Sequence, residues 1–178
     1  MTDSQLPRYE IFIVERPGRP PTYAGSVHAS DDELALLNAR DVFARRPDCH
    51  GLWAFRAGTI SSRTDEEALS PADETEPAQR ERYLVFGKLG HKGVHTFLGA
   101  VDAARPDEAV GKGRTLYGRG VVLWWVAPER CRLANAAADA GPMFEPAKGK
   151  PFRDQAFYPV ETLMRQLRRV RNREQGRS

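Results

Sequence analysis

The chain has 178 residues, 40% hydrophobic and 29% charged, which is the composition of a water-soluble globular protein, and no apolar run approaches the roughly 20 residues that cross a bilayer. The formal net charge is +3, with the excess gathered in Arg165, Arg168, Arg169, Arg171, Arg173 and Arg177, so the body is close to neutral, which argues against a general nucleic-acid-binding face. The two cysteines, Cys49 and Cys131, stand far apart with no Cys-x-x-Cys pair, which argues against a disulfide framework and a zinc site and predicts reduced thiols.

The start, Met1 to Arg8, is polar and lacks the basic and apolar stretches of a secretory signal, so the expected compartment is the cytoplasm. Tyr9 to Glu15 is rich in β-branched and aromatic residues, the breaker cluster Arg16-Pro17-Gly18-Arg19-Pro20-Pro21 follows, and Thr22 to Ala29 is again extended, which predicts a strand, a long turn and a strand. Ser30 or Asp31 can cap a helix, with Glu33 in its first turn; Leu34, Ala35, Leu37, Ala39 and Val42 recur at helical spacing to about Arg45 and predict a helix with one face on the sheet. Pro47-Asp48 ends it, and Gly51 to Arg56 is a third strand. The unit is β-β-α-β.

Ser61 to Arg82 carries many acids, prolines at 71 and 77 and few large apolar residues, the composition of a solvated linker. A second unit follows: strand Tyr83 to Leu89, turn Gly90 to Gly93, strand Thr96 to Ala103, and a helix from Pro106 to Tyr117 that Gly111 and Gly113 weaken. Leu133 to Ala140 is alanine-rich and predicts a short helix that Gly141-Pro142 breaks. Leu163, Leu167 and Val170 recur at helical spacing in the arginine-rich tail, which suits a short amphipathic helix.

The two units are copies. At an offset of 74, residues 9 to 43 give eight identities, at Tyr9, Phe12, Thr22, Gly25, Val27, Ala29, Ala35 and Arg40, against about two expected from average composition, and Phe43 meets Tyr117. After a three-residue deletion the offset becomes 71 and Leu52-Trp53 falls on Leu123-Trp124. The expected architecture is therefore α+β, two tandem β-β-α-β units related by internal duplication and packed together, with an extended C-terminal segment and a short helix. The divisions are 1–60, first unit; 61–82, linker; 83–132, second unit; 133–178, extension and basic tail.

Reactive chemistry is sparse. A di-iron carboxylate site needs Glu-x-x-His pairs on facing helices, and no Glu-x-x-His occurs. His91 and His95 are four apart, but Gly90 and Gly93 place them in a hairpin turn rather than on a helix. His28 stands at a strand end before a helix, where it can help cap. Gly111-Lys112-Gly113-Arg114 matches neither phosphate-binding glycine signature, and Cys49 beside His50 lies in no nucleophile motif. Catalytic, metal and cofactor-binding residues are expected to be none.

At Tyr9-Glu10-Ile11-Phe12, Gly25 to Asp31, Ala35 to Asp41 and Leu52-Trp53, the first half resembles the B subunit of the bacterial phenylacetyl-CoA epoxidase. Met143-Phe144-Glu145-Pro146-Ala147, Lys150, Phe152-Arg153 and Phe157-Tyr158-Pro159 are similar to that family's C-terminal signature. Length departs from the family, whose members are commonly one unit long. The resemblance implies a non-catalytic bridging subunit with no cofactor of its own, a ferritin-like partner holding the di-iron centre, a related inactive subunit, and a reductase carrying flavin and an iron-sulfur cluster. On this reading Phe144, Phe152, Arg153, Phe157 and Tyr158 are candidate partner contacts, the alternative being that these aromatics cover the chain's own core. Two other readings remain open on the residues: a small acyl-CoA-binding or regulatory module using Lys112 and Arg114, and a nucleic-acid-binding protein using its basic tail.

Overall fold

The computed structural model describes residues 6–44, 49–67, 79–118, 120–135 and 140–148, together with Met164. The first unit is β1 (Arg8–Val14), β2 (Thr22–His28), α1 (Asp32–Phe43) and β3 (Gly51–Arg56); then come β4 (Ser61–Thr64), β5 (Glu81–Leu89), β6 (His95–Ala103), α2 (Pro106–Tyr117), β7 (Val121–Pro128), β8 (Leu133–Ala134) and α3 (Ala140–Lys148). Asp31 is the cap of α1, its Oδ1 accepting from the Leu34 N–H at 2.8 Å, which satisfies one of the amides a helix start leaves unpaired. Asp32 in the first turn is tied to the sheet by the Tyr9 hydroxyl at 2.8 Å and by Arg56 at 2.9 Å. α2 has no side-chain cap and starts instead on Pro106, whose missing N–H is no loss in a first turn.

The strands form one antiparallel sheet in the order β4-β7-β5-β6-β2-β1-β3-β8. Its halves meet where β2 pairs β6 through Thr22 and Thr96, residues that the 74-residue offset superimposes, so a pseudo-two-fold axis passes between them. The halves also share an irregularity, at Ile11/Phe12 in β1 and at Val85/Phe86 in β5. Opposite it lie Gly25 and Gly99, and each faces the ring that ends its helix. A Cβ on Gly25 would stand 2.8 Å from the Phe43 ring, and one on Gly99 would overlap the Tyr117 hydroxyl. Gly25 also takes φ +144°, a region that side chains avoid. Gly25→Ala is expected to destabilise the chain by about 1–3 kcal/mol, read as a lowered urea midpoint; an unchanged midpoint would mean the Phe43 ring yields freely.

On one face each half is covered by its own helix. Tyr9, Ile11, Leu52 and Ala54 pack with Ala35 and Ala39 of α1; Tyr83, Val85, Trp124 and Val126 pack with Ala109 and Val110 of α2. The other faces meet each other in a shared layer of Phe12, Phe55, Leu84, Phe86 and Ala127, flanked by Tyr23, Trp53, Phe97 and Trp125. Phe12 stacks on Phe86 at 4.3 Å and Phe55 meets Phe86 edge-on at 5.7 Å. Strands are about 4.8 Å apart, and β1 and β3 lie three and four places from β5, so rings this close require the sheet to fold over at the β2/β6 junction. The aromatic layer is inside and both helices are outside.

Four expectations are corrected. The ladders pair Phe12 with Trp53 and Phe86 with Trp125, so the third strands correspond at an offset of 72, not 71, and Leu52 matches Trp124. A one-residue slip exchanges the faces of a strand, and the burial agrees: Leu52 and Trp124 face the helices, Trp53 and Trp125 the shared layer. Gly113 stands where Ala39 does in the other copy, and its Cβ would stand 2.8 Å from Val85 and 3.7 Å from Trp124; the glycine expected to weaken α2 lets that helix approach Val85 closely. Second, the segment read as a linker opens with β4, which pairs β7 of the second unit, while β8 pairs β3 of the first. Each unit thus lends its following strand to the other. Third, Leu133–Ala134 is that strand rather than a helix, and α3 runs through Gly141-Pro142 instead of stopping there, because proline is tolerated in a first helical turn. Fourth, Leu34, Leu37 and Val42 of α1 face out, at 38%, 38% and 43% exposure, and the small Ala35 and Ala39 face the sheet.

Candidate functional site

Of the candidate partner contacts, Phe144 is buried in the first unit's core, beside Met143 and Ala140, where it fastens α3 to the sheet. Phe152, Arg153, Phe157 and Tyr158 lie outside the described residues, as does the arginine-rich tail apart from Met164. The His91/His95 pair is split: His91 is exposed in the turn, and His95 is buried at the start of β6. Burial pushes the Cys49 thiol up, away from nucleophilic thiolate, while His50 beside it is exposed. Lys112 and Arg114 sit in α2 on Glu108 at 2.7 Å and on Asp65 at 3.0 Å. Asp65 also accepts from the Trp124 indole at 3.2 Å. These two cations brace the second unit. Among the described residues no three His, Cys, Asp or Glu side chains gather as a metal centre requires, and no helix is long and apolar enough to cross a membrane.

A polar cluster lies at one end of the shared aromatic layer. Glu10 is 6% exposed, and such a carboxylate needs partners to offset its lost hydration. The Tyr23 hydroxyl donates to it at 2.8 Å and Arg8 lies at 3.0 Å. Tyr23 meets the Trp125 ring edge-on at 5.3 Å, and the His95 imidazole stacks flat on Trp125 at 3.8 Å. Burial, then the hydrogen bond and charge of Glu10, push the Tyr23 hydroxyl up to about 12. Burial, then the charge of Lys88, push His95 down to about 4, and its Nε2 has no hydrogen-bond partner. Neither group changes charge near pH 7, so neither is tuned to move protons there.

The pseudo-two-fold axis does not repeat this cluster. Glu10, Tyr23 and His95 correspond to Leu84, Phe97 and Pro21, so the carboxylate, the hydroxyl and the imidazole are all absent there, and only Trp125 finds an identical residue, Trp53. The chemistry of the two copies has therefore diverged while their fold has not. Sequence reading passed over the cluster, and the available signal was polar residues set against apolar ones at otherwise matching positions. The outer helix faces have diverged too: exposed Leu34, Leu37 and Val42 of α1 correspond to Glu108, Gly111 and Leu116 of α2.

Comparison with known proteins places two stretches of the chain on one family model. Residues 5–83 and 79–164 each match the family described as Phenylacetic acid degradation B, one match for each β-β-α-β unit. The B subunit of the 1,2-phenylacetyl-CoA epoxidase of Escherichia coli (strain K12) is 36% identical over 67 residues, which is 38% of this chain and 70% of that protein. No solved structure matches the chain.

Proposed function

This chain belongs to the phenylacetic acid degradation B family, and from that premise we propose that it is a non-catalytic bridging subunit of a phenylacetyl-CoA epoxidase complex. The observation that carries the reading is the double family match, one for each unit, on a body whose pseudo-two-fold axis presents related surfaces in two directions. A part that joins larger subunits needs complementary surface rather than reactive groups. The partners on this reading are ferritin-like oxygenase subunits, one of which holds the di-iron centre, and a reductase bearing flavin and an iron-sulfur cluster supplies electrons.

The outer face of α1 is the surface best suited to such a partner. Leu34, Leu37 and Val42 place three apolar side chains on an exposed helix, and apolar groups clustered on a helix are a common contact with another protein. α2 offers only Leu116 at those positions, so the two directions are not equivalent and the partner held by α1 is held more tightly.

The test is isolation of the tagged chain from its host with its partners identified by mass and iron measured in the complex and in the chain alone. A di-iron subunit in the complex, with no iron on the isolated chain, is the expected result; stoichiometric iron on the isolated chain, or no oxygenase partner, would overturn the reading. Joint replacement of Leu34 and Leu37 by glutamate is expected to reduce partner recovery about tenfold or more, as loss of a hot spot does, while Leu116→Glu on α2 leaves most of it. Equal losses from both would remove the distinction drawn between the helices.

A further inference from the structure

The turn between β1 and β2 holds two arginines that the fold does not use. The Arg19 N–H donates to the Arg16 carbonyl at 3.1 Å, and Gly18, behind Pro17, takes φ +79°, the arrangement of a type II turn. Such a turn brings its first and last Cα atoms within about 7 Å, so the two guanidiniums project from neighbouring points. Pro17 before Gly18, and Pro20 and Pro21 behind, stiffen the support. Both arginines line a cavity of about 470 Å³ together with Glu15, Pro20, Thr22 and Thr96. Thr22 and Thr96 are the pair on the pseudo-two-fold axis, so the cavity lies on the seam between the units.

Two further observations single these arginines out. Of the ten other arginines among the described residues, nine pair with a carboxylate at 3.6 Å or less and Arg105 is also engaged; Arg16 and Arg19 have no ion pair there. The second copy shows that folding does not require them. Its turn closes by the same spacing, the Gly93 N–H donating to the Gly90 carbonyl at 3.3 Å, and the offset of 74 puts Gly90 and Gly93 where Arg16 and Arg19 stand.

We propose that Arg16 and Arg19 form a binding site for the phosphate of a small phosphorylated molecule, with Glu15 accepting a hydrogen bond from a hydroxyl or amino group of the same molecule. A guanidinium fork matches phosphate geometry and stays charged, and a dianion neutralises both forks at once. The volume falls in the range of small-molecule pockets, about 300–1,000 Å³. The Glu15 carboxylate on the same wall disfavours an extended polyanion such as an acidic peptide. This inference does not depend on the bridging role.

The test is titration of the full chain by calorimetry with pyrophosphate, with adenosine monophosphate and with a polyglutamate peptide, beside a variant carrying Arg16→Gln and Arg19→Gln. The expected result is binding of both phosphates, tighter for the nucleotide, which carries hydroxyl donors for Glu15, and weaker by about tenfold or more in the variant, since each fork makes charge-assisted hydrogen bonds. The variant should keep the parent's melting temperature, because the second copy's turn closes without arginines. No phosphate binding at millimolar concentration, binding unchanged in the variant, or a preference for the peptide would each overturn the proposal.

Discussion

Phe86→Ala is expected to lower the unfolding free energy by about 3–5 kcal/mol, the usual cost of removing a fully buried phenyl ring, and to do so within a single transition. The ring belongs to the second unit, yet two of its three ring neighbours are Phe12 at 4.3 Å and Phe55 at 5.7 Å, both from the first; the third is Phe97 at 5.6 Å. Its loss therefore opens a cavity that neither unit can close alone. The reciprocal pairing of β4 with β7 and of β8 with β3 points the same way, because melting either unit strips a strand from the other. Urea unfolding followed in parallel by far-ultraviolet circular dichroism and by tryptophan fluorescence checks both parts. Trp53 reports on the first unit, Trp124 and Trp125 on the second. Two separate midpoints, in the parent or the variant, would show that the copies are independent folding units.

Acidification from pH 7 to pH 4 is expected to remove stability through His95. Its folded pKa is pushed down to about 4 from an ordinary 6.5 by burial and by Lys88, its partner across the β5/β6 ladder. The unfolded chain thus takes up a proton on this imidazole as pH falls through 6.5, and the folded chain takes it up only near 4. Stability is full above 6.5 and declines across that window. A difference of that size corresponds to about 3 kcal/mol at about 1.36 kcal/mol per pH unit. Paired carboxylates such as Asp32 and Asp65 are also held low by their partners and contribute an acid loss of their own, so the comparison is with His95→Phe. That variant keeps an aromatic ring against Trp125, removes the titration and relieves the unpartnered Nε2. The gap between the parent and variant unfolding free energies should change by that amount between pH 7 and pH 4; a constant gap would mean that His95 is protonated equally in both states.

Local order was legible in the chain, and what crosses between the units was not. Strands β1, β2 and β3, helix α1 and their copies follow from turn chemistry, periodicity and the cap at Asp31, all set by residues close in sequence. Gly25/Gly99 and Phe43/Tyr117 were visible as matched positions of the repeat, and the structure shows a ring lying on a glycine in each half. The offset failed at the third strand because Leu-Trp stands in both copies while Trp-Trp in the second allows two registers, and only the pairing with β1 and β5 chooses between them. β4 was missed because Ser61-Ser62-Arg63-Thr64 has no apolar alternation; it is a strand because β7 offers it an edge. For the candidate contacts, Phe144 looked available on an aromatic and proline signature, and its burial in the first unit's core is a tertiary fact. The cluster around Glu10 depends likewise on the sheet folding over, which no local pattern encodes.

The exchange of edge strands has a consequence for the growing chain on the ribosome. The first unit emerges with the outer edge of β3 bare, and the strand that covers it, β8, is made only some seventy residues after β4. At about 5–20 residues per second that is roughly 4 to 14 seconds during which a nascent chain carries an open strand edge and half of an aromatic layer. Neighbouring polysomal chains offer each other that same unfilled edge of β3, so β8 of one can close β3 of the next. Slow synthesis or crowded expression should accordingly yield interlocked dimers and higher aggregates, and chaperones that shield exposed strand edges should raise the yield of single chains.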